Sequence, residues 1–67
     1  MIQLSVNGES RSLPQGTNLA ALIDELALAG KKIAVERNGD IVPRSRYAQT
    51  LLEAGDRLEI VVAVGGG

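Results

Sequence analysis

The residue types that usually carry chemistry are scarce in this chain. It contains no cysteine and no histidine. The common nucleophile–base dyads and soft metal sites are therefore excluded, as are disulfides and zinc or iron–sulfur centres. The only adjacent carboxylates are Asp24-Glu25, which read as a solvated helix face rather than an acid/base couple. Gly30-Lys31-Lys32 lacks the glycine spacing of a phosphate-binding loop and reads as a helix terminus. Arg44-Ser45-Arg46-Tyr47 offers a small anion or partner contact, with a basic solvated loop as the default reading. What stands out is the run Glu59-Ile-Val-Val-Ala-Val64 followed directly by Gly65, Gly66 and Gly67.

Glycines without side chains can thread a narrow channel in another protein and adopt backbone conformations closed to other residues. Three of them extend at most about 10 Å, so the α-carboxylate of Gly67 is expected at a short reach from the domain. With a pKa near 3.5, an α-carboxylate is ionised at neutral pH and is a poor electrophile. It becomes one as an acyl-adenylate, which an amine, a thiol or a sulfur donor can attack. The ATP and Mg²⁺ for that step are expected on a partner enzyme, because the sequence has no phosphate-binding motif. Ordering the tail costs on the order of 1–2 kcal/mol per residue. Affinity for the partner must then come from the globular surface. Val61 and Ala63, which alternate away from the expected core, are the candidate docking residues.

The elements that position this tail follow from hydrophobic period. Ile2, Leu4 and Val6 alternate with polar residues as in a half-buried strand, and Asn7-Gly8 supplies a type I′ hairpin turn. Glu9–Leu13 returns as a polar strand suited to a sheet edge. Pro14 and Gly16 turn the chain, and Thr17 or Asn18 caps a helix. Leu19, Leu22, Ile23 and Leu26 form its apolar stripe; Gly30 is the expected stop, with Lys31 and Lys32 at the negative end of the helix dipole. Ile33–Arg37, a second hairpin turn at Asn38-Gly39, and Ile41-Val42 follow, with Pro43 ending the short strand. Residues 44–53 read as an irregular or single-turn connection whose Tyr47, Leu51 and Leu52 cover the core. The last strand, Leu58–Val64, places Leu58, Ile60, Val62 and Val64 on one face and Val61 and Ala63 on the other.

The order β-β-α-β-β-β predicts an α+β sheet with its helix on one face. The expected organisation is one domain over residues 1–64 and a flexible tail over 65–67. A 67-residue chain buries only about 60% of its unfolded surface, so the Leu, Ile, Val and Ala core must be efficient. A net charge of −1 and a single aromatic residue, Tyr47, argue against nucleic-acid binding. No stretch approaches the roughly 18 apolar residues of a membrane span, and no signal-peptide pattern opens the chain. The expected location is the cytoplasm.

At this point a family resemblance becomes visible. Val35-Glu-Arg-Asn-Gly39, Ile41-Val-Pro-Arg44, Arg46-Tyr47, Gly55-Asp-Arg-Leu-Glu-Ile60 and the terminal Val-Gly-Gly-Gly resemble the ThiS family, the sulfur carrier proteins of thiamine biosynthesis. The first half is similar more loosely, through the Asn-Gly hairpin, the Pro-x-Gly-Thr turn and the leucine-rich helix. The resemblance implies a ubiquitin-like β-grasp fold, a mixed sheet of four to five strands with one main helix. It also implies a carrier acted on by other enzymes rather than an enzyme. An adenylating partner related to ubiquitin activators adenylates Gly67; sulfur from cysteine, delivered through a desulfurase, converts it to a thiocarboxylate; thiazole synthase takes the sulfur. Gly66 and Gly67 match the family's diglycine, and Gly65 extends the tail. The alternatives are the small subunit of molybdopterin synthase or another ubiquitin-like modifier with the same terminal chemistry.

Overall fold

A computed structural model describes residues 1–63. Five strands, β1 (Ile2–Val6), β2 (Glu9–Leu13), β3 (Ile33–Arg37), β4 (Asp40–Val42) and β5 (Arg57–Val62), form one sheet, and α1 (Leu19–Glu25) crosses it. The strand order is β2-β1-β5-β3-β4. β5, the last strand in sequence, is thus central, parallel to β1 and antiparallel to β3. This is the mixed sheet with one main helix of the β-grasp expectation. Val64, expected in the last strand, and the tail 65–67 lie outside the described residues.

Both hairpins turn on Asn-Gly pairs with positive φ at each residue, Asn7 (52°) with Gly8 (83°) and Asn38 (52°) with Gly39 (91°). That is the type I′ geometry whose twist matches the strands it joins. The polar β2 sits at one edge and the three-residue β4 at the other, where short or polar strands discourage pairing with other chains.

One face of the sheet is closed by α1. Leu4, Val6, Leu13, Val35, Leu58 and Ile60 meet Leu19, Leu22 and Ile23 in a single core. Asn18, not Thr17, is the N-cap: its Oδ1 accepts from the Ala21 N–H at 2.8 Å. Thr17 instead donates its hydroxyl to the Pro14 carbonyl at 2.7 Å.

The helix ends earlier than expected. Gly30 is not its stop; Ala27 takes the left-handed position with φ 60°. The Leu28 N–H reaches the Ile23 carbonyl and the Ala27 N–H the Asp24 carbonyl, each at 3.0 Å, which is a Schellman closure. Alanine carries no signal for positive φ, so the pattern pointed to the next glycine. Lys31 and Lys32 therefore lie beyond the last turn, which holds no basic residue. Residues 44–49 form a 3₁₀ helix that buries Tyr47, and Leu52 completes the core. Leu51, expected to cover the core, is 59% exposed, because its backbone bridges to Asn18 and turns the side chain outward.

Candidate functional site

The glycines expected to carry the chemistry, Gly65, Gly66 and Gly67, lie outside the described residues. What the structure defines is the strand from which they leave and the sheet face beside it. β5 is held on both flanks by the two turn asparagines. Beyond Val6 the β1 ladder stops, and the Asn7 side chain continues it: Ile60 N–H donates to Asn7 Oδ1 at 2.8 Å, and Asn7 Nδ2 donates to the Ile60 carbonyl at 3.1 Å. On the β3 side, Arg57 N–H donates to Asn38 Oδ1 at 2.8 Å, and Asn38 N–H donates to the Arg57 carbonyl at 2.8 Å. The sequence revealed these residues as turn formers. Their second role depends on contacts 53 and 19 residues away, which local pattern does not carry.

Asp56 anchors the start of β5. It is 6% exposed and accepts three hydrogen bonds, from the Glu53 N–H (2.9 Å), Arg37 Nε (3.0 Å) and Asn38 Nδ2 (3.1 Å). Burial pushes its carboxyl pKa up, but the backbone bond from Glu53 and the Asn38 and Arg37 partners together outweigh this and hold it below the usual value. Arg37 also reaches Glu53 at 3.3 Å. No local pattern marks Asp56 for this role, since its side-chain partners Arg37 and Asn38 lie 19 and 18 residues away.

The face of the sheet away from α1 is uncovered. On it Glu59 and Val61 of β5 lie directly opposite Glu36 and Ala34 of β3, and Ile41 of β4 lies opposite Glu36. Val61 is 64% exposed and Ile41 66%. Ala63 is also exposed, and its N–H donates to the Lys32 carbonyl at 2.8 Å, at the end of the described residues. The two docking residues expected from sequence, Val61 and Ala63, thus share one groove of about 310 Å³ with Lys32, Ile33, Ala34 and Arg44. Arg44 is oriented there by its Nη2, which donates to the Lys31 carbonyl at 2.9 Å. Among the described residues no cluster of carboxylates has the makings of a metal site, and no helix is long and apolar enough to cross a membrane.

Comparison with known proteins agrees with this architecture. The family model described as the ThiS family matches residues 4–67. A thiazole synthase of Paramagnetospirillum magneticum is 47% identical over 66 residues, covering 98% of this chain and 20% of that protein. The chain therefore spans about a fifth of the length of that relative. The uncharacterized protein ycf40 of Pyropia yezoensis is 32% identical, with 98% of this chain and 93% of that protein covered. The crystal structure of a thiamine biosynthesis protein (ThiS) from Geobacter metallireducens superposes with a TM-score of 0.82 at 29% identity, covering 98% of this chain and all of that one. A match over nearly the whole chain, in sequence and in fold, makes this protein a member of the ThiS family.

Proposed function

We propose that this chain is a sulfur carrier for thiazole formation in thiamine biosynthesis, and a co-substrate rather than an enzyme. The observation that carries the reading is the ThiS-family match through residue 67, on a chain that has no thiol of its own on which to hold sulfur. The carboxylate of Gly67 attacks the α-phosphorus of ATP on an adenylating partner, with Mg²⁺ bound by that partner, and pyrophosphate leaves. The terminal sulfur of a persulfide, derived from cysteine through a desulfurase, displaces AMP to give an acyl disulfide, and a second thiol reduces its S–S bond, forming a disulfide and releasing the thiocarboxylate. Thiazole synthase takes the sulfur for the thiazole ring, an oxygen from the acceptor or from water takes the place of the sulfur on Gly67, and the carboxylate returns. Gly65 and Gly66 thread the partner's channel, where a Cβ has no room.

The globular domain supplies affinity and the tail supplies reach. Val61 and Ala63 belong to the docking surface, since they are exposed on the open face beside the root of the tail.

Pyrophosphate exchange by the adenylating enzyme tests the reading. Deleting Gly67, or Gly66→Val, is expected to abolish exchange while leaving the melting temperature unchanged. Exchange that survives the deletion would remove Gly67 from the reaction.

A further inference from the structure

Both hairpin turns are Asn-Gly pairs, and both asparagines spend their side chains on β5. Asn-Gly is also the dipeptide most open to spontaneous deamidation, because glycine puts no side chain between its backbone nitrogen and the asparagine amide carbon. At Gly8 and Gly39 nothing among the described residues lies within 4 Å of where a Cβ would stand, so the surrounding fold adds no steric guard. What restrains each amide is its hydrogen bonds.

The two restraints are unequal. Asn7 bonds both the N–H and the carbonyl of Ile60, well inside the central strand, and comes free only when that strand leaves β1. Asn38 holds the first residue of the strand: its Oδ1 accepts from the Arg57 N–H at 2.8 Å, and its Nδ2 donates to Asp56 Oδ1 at 3.1 Å. Strand ends open at lower free energy than strand centres.

We propose that Asn38 is a modification site of this chain, whose deamidation is gated by opening at the start of β5 and then keeps that strand unlatched. With the amide swung off Arg57 and Asp56, the Gly39 nitrogen attacks Asn38 Cγ. The new Cγ–N bond forms, the Cγ–Nδ2 bond breaks, and Nδ2 leaves as ammonia with the proton from the Gly39 nitrogen. Water opens the resulting succinimide at either carbonyl, giving an aspartate or an isoaspartate. Nothing is oxidised or reduced, and water is the one co-reactant. This chemistry needs no partner, so it holds whatever Gly67 carries.

Neither product restores the latch. An aspartate at position 38 still accepts from the Arg57 N–H, but its second oxygen meets Asp56 Oδ1 where a donor stood. Asp56 is 6% exposed, and two carboxylates in contact at a buried site do not both stay ionised without cost. An isoaspartate adds a backbone atom to a turn whose positive φ at both residues sets the twist of the hairpin. The same reaction at Asn7 sets a carboxylate oxygen against the Ile60 carbonyl, a dipole rather than a charge, so the aspartate there costs less.

The experiment incubates the full chain at mildly alkaline pH, folded and in denaturant, and follows both Asn-Gly peptides by mass spectrometry that separates aspartate from isoaspartate. In the folded chain Asn38 is expected to convert at least about tenfold more slowly than in denaturant, and Asn7 more slowly still. Equal rates for Asn38 with and without denaturant, an Asn38 that stays intact in the folded chain, or earlier conversion of Asn7 overturns the proposal. The consequence is read from denaturant unfolding of Asn38→Asp. That change is expected to lower the folded-to-unfolded ratio about tenfold in the wild-type background, and less than about threefold beside Asp56→Asn, where an amide faces the new carboxylate. The same loss in both backgrounds, or a loss no larger than that of Asn7→Asp, overturns the clash with Asp56 and with it the unlatching.

Discussion

Leu58 and Ile60 of β5 are buried under α1, while Glu59 and Val61, their neighbours on the same strand, face away from it. Backbone, pairing and twist are shared, so the contrast between the two faces is one of side chains alone. The closed face is aliphatic and continuous with Leu19, Leu22 and Val35. The open face mixes Val61 and Ile41 with Glu36 and Glu59, which join no ion pair among the described residues. In so small a domain most of the stability margin of about 5–15 kcal/mol comes from burial on the first, which leaves the second free to be shaped by a partner. β5 joins the two roles, because the strand at the centre of the core also leads directly to the tail.

Substitutions that act on one face and spare the other break this comparison most directly. The largest expected effect is on the closed face. Leu22→Ala or Ile60→Ala removes a side chain that is 0% or 6% exposed and is expected to cost about 2–5 kcal/mol, measured by denaturant unfolding. That consumes much of the margin, so adenylation should fall with the folded fraction and recover when folding is restored.

Asp56→Asn comes next. It weakens the anchor at the start of β5 and leaves Arg37 with the more exposed Glu53 in place of its buried carboxylate partner, for an expected loss of about 2 kcal/mol. The wild type carries a matching pH signature. Because the Asp56 pKa is lowered in the folded protein, its contribution is fully present above the ordinary aspartate pKa of 3.8 and is lost as pH falls through the folded value. Unfolding free energy measured from neutral pH downward should drop more steeply in the wild type than in Asp56→Asn.

Ala27→Gly works in the other direction. The left-handed conformation costs an alanine about 1–2 kcal/mol, partly offset by the greater unfolded-state freedom of glycine. A net gain of about 0.5–1 kcal/mol in unfolding free energy is expected. The smallest effect on stability is expected on the open face, where Val61→Asp should change unfolding free energy by no more than about 0.5 kcal/mol. Its affinity for the adenylating enzyme, measured by titration, should nonetheless fall clearly. Unchanged affinity would remove Val61 from the docking surface.

Much of the fold was legible because its signals are local. The strand alternation at Ile2–Val6, the stripe Leu19-Leu22-Ile23 and the two Asn-Gly turns each lie within a few residues, and each element was found where its pattern placed it. Ala27 hid the true end of α1 because Gly30, three residues later, carries the stronger stop signal. Leu51 misled for a similar reason: hydrophobicity alone does not report that its backbone is engaged with Asn18. On the candidate site, alternation along β5 put Val61 and Ala63 on the open face. It did not reveal Glu36 beside Glu59 or Arg44 beside Ala63, since these depend on strand register and on how the 3₁₀ segment folds back. The Asn7, Asn38 and Asp56 contacts that hold β5 are likewise long-range, and only the structure shows them.

The central claim concerns what Gly67 carries, and an intact mass reads it directly. The full chain would be incubated with its adenylating enzyme, ATP, Mg²⁺ and a cysteine desulfurase with cysteine, then weighed and fragmented. The account predicts a gain equal to the exchange of one oxygen for sulfur, located at Gly67 and absent when ATP is omitted. An unchanged mass, under conditions that convert another ThiS-family protein to its thiocarboxylate, would contradict it.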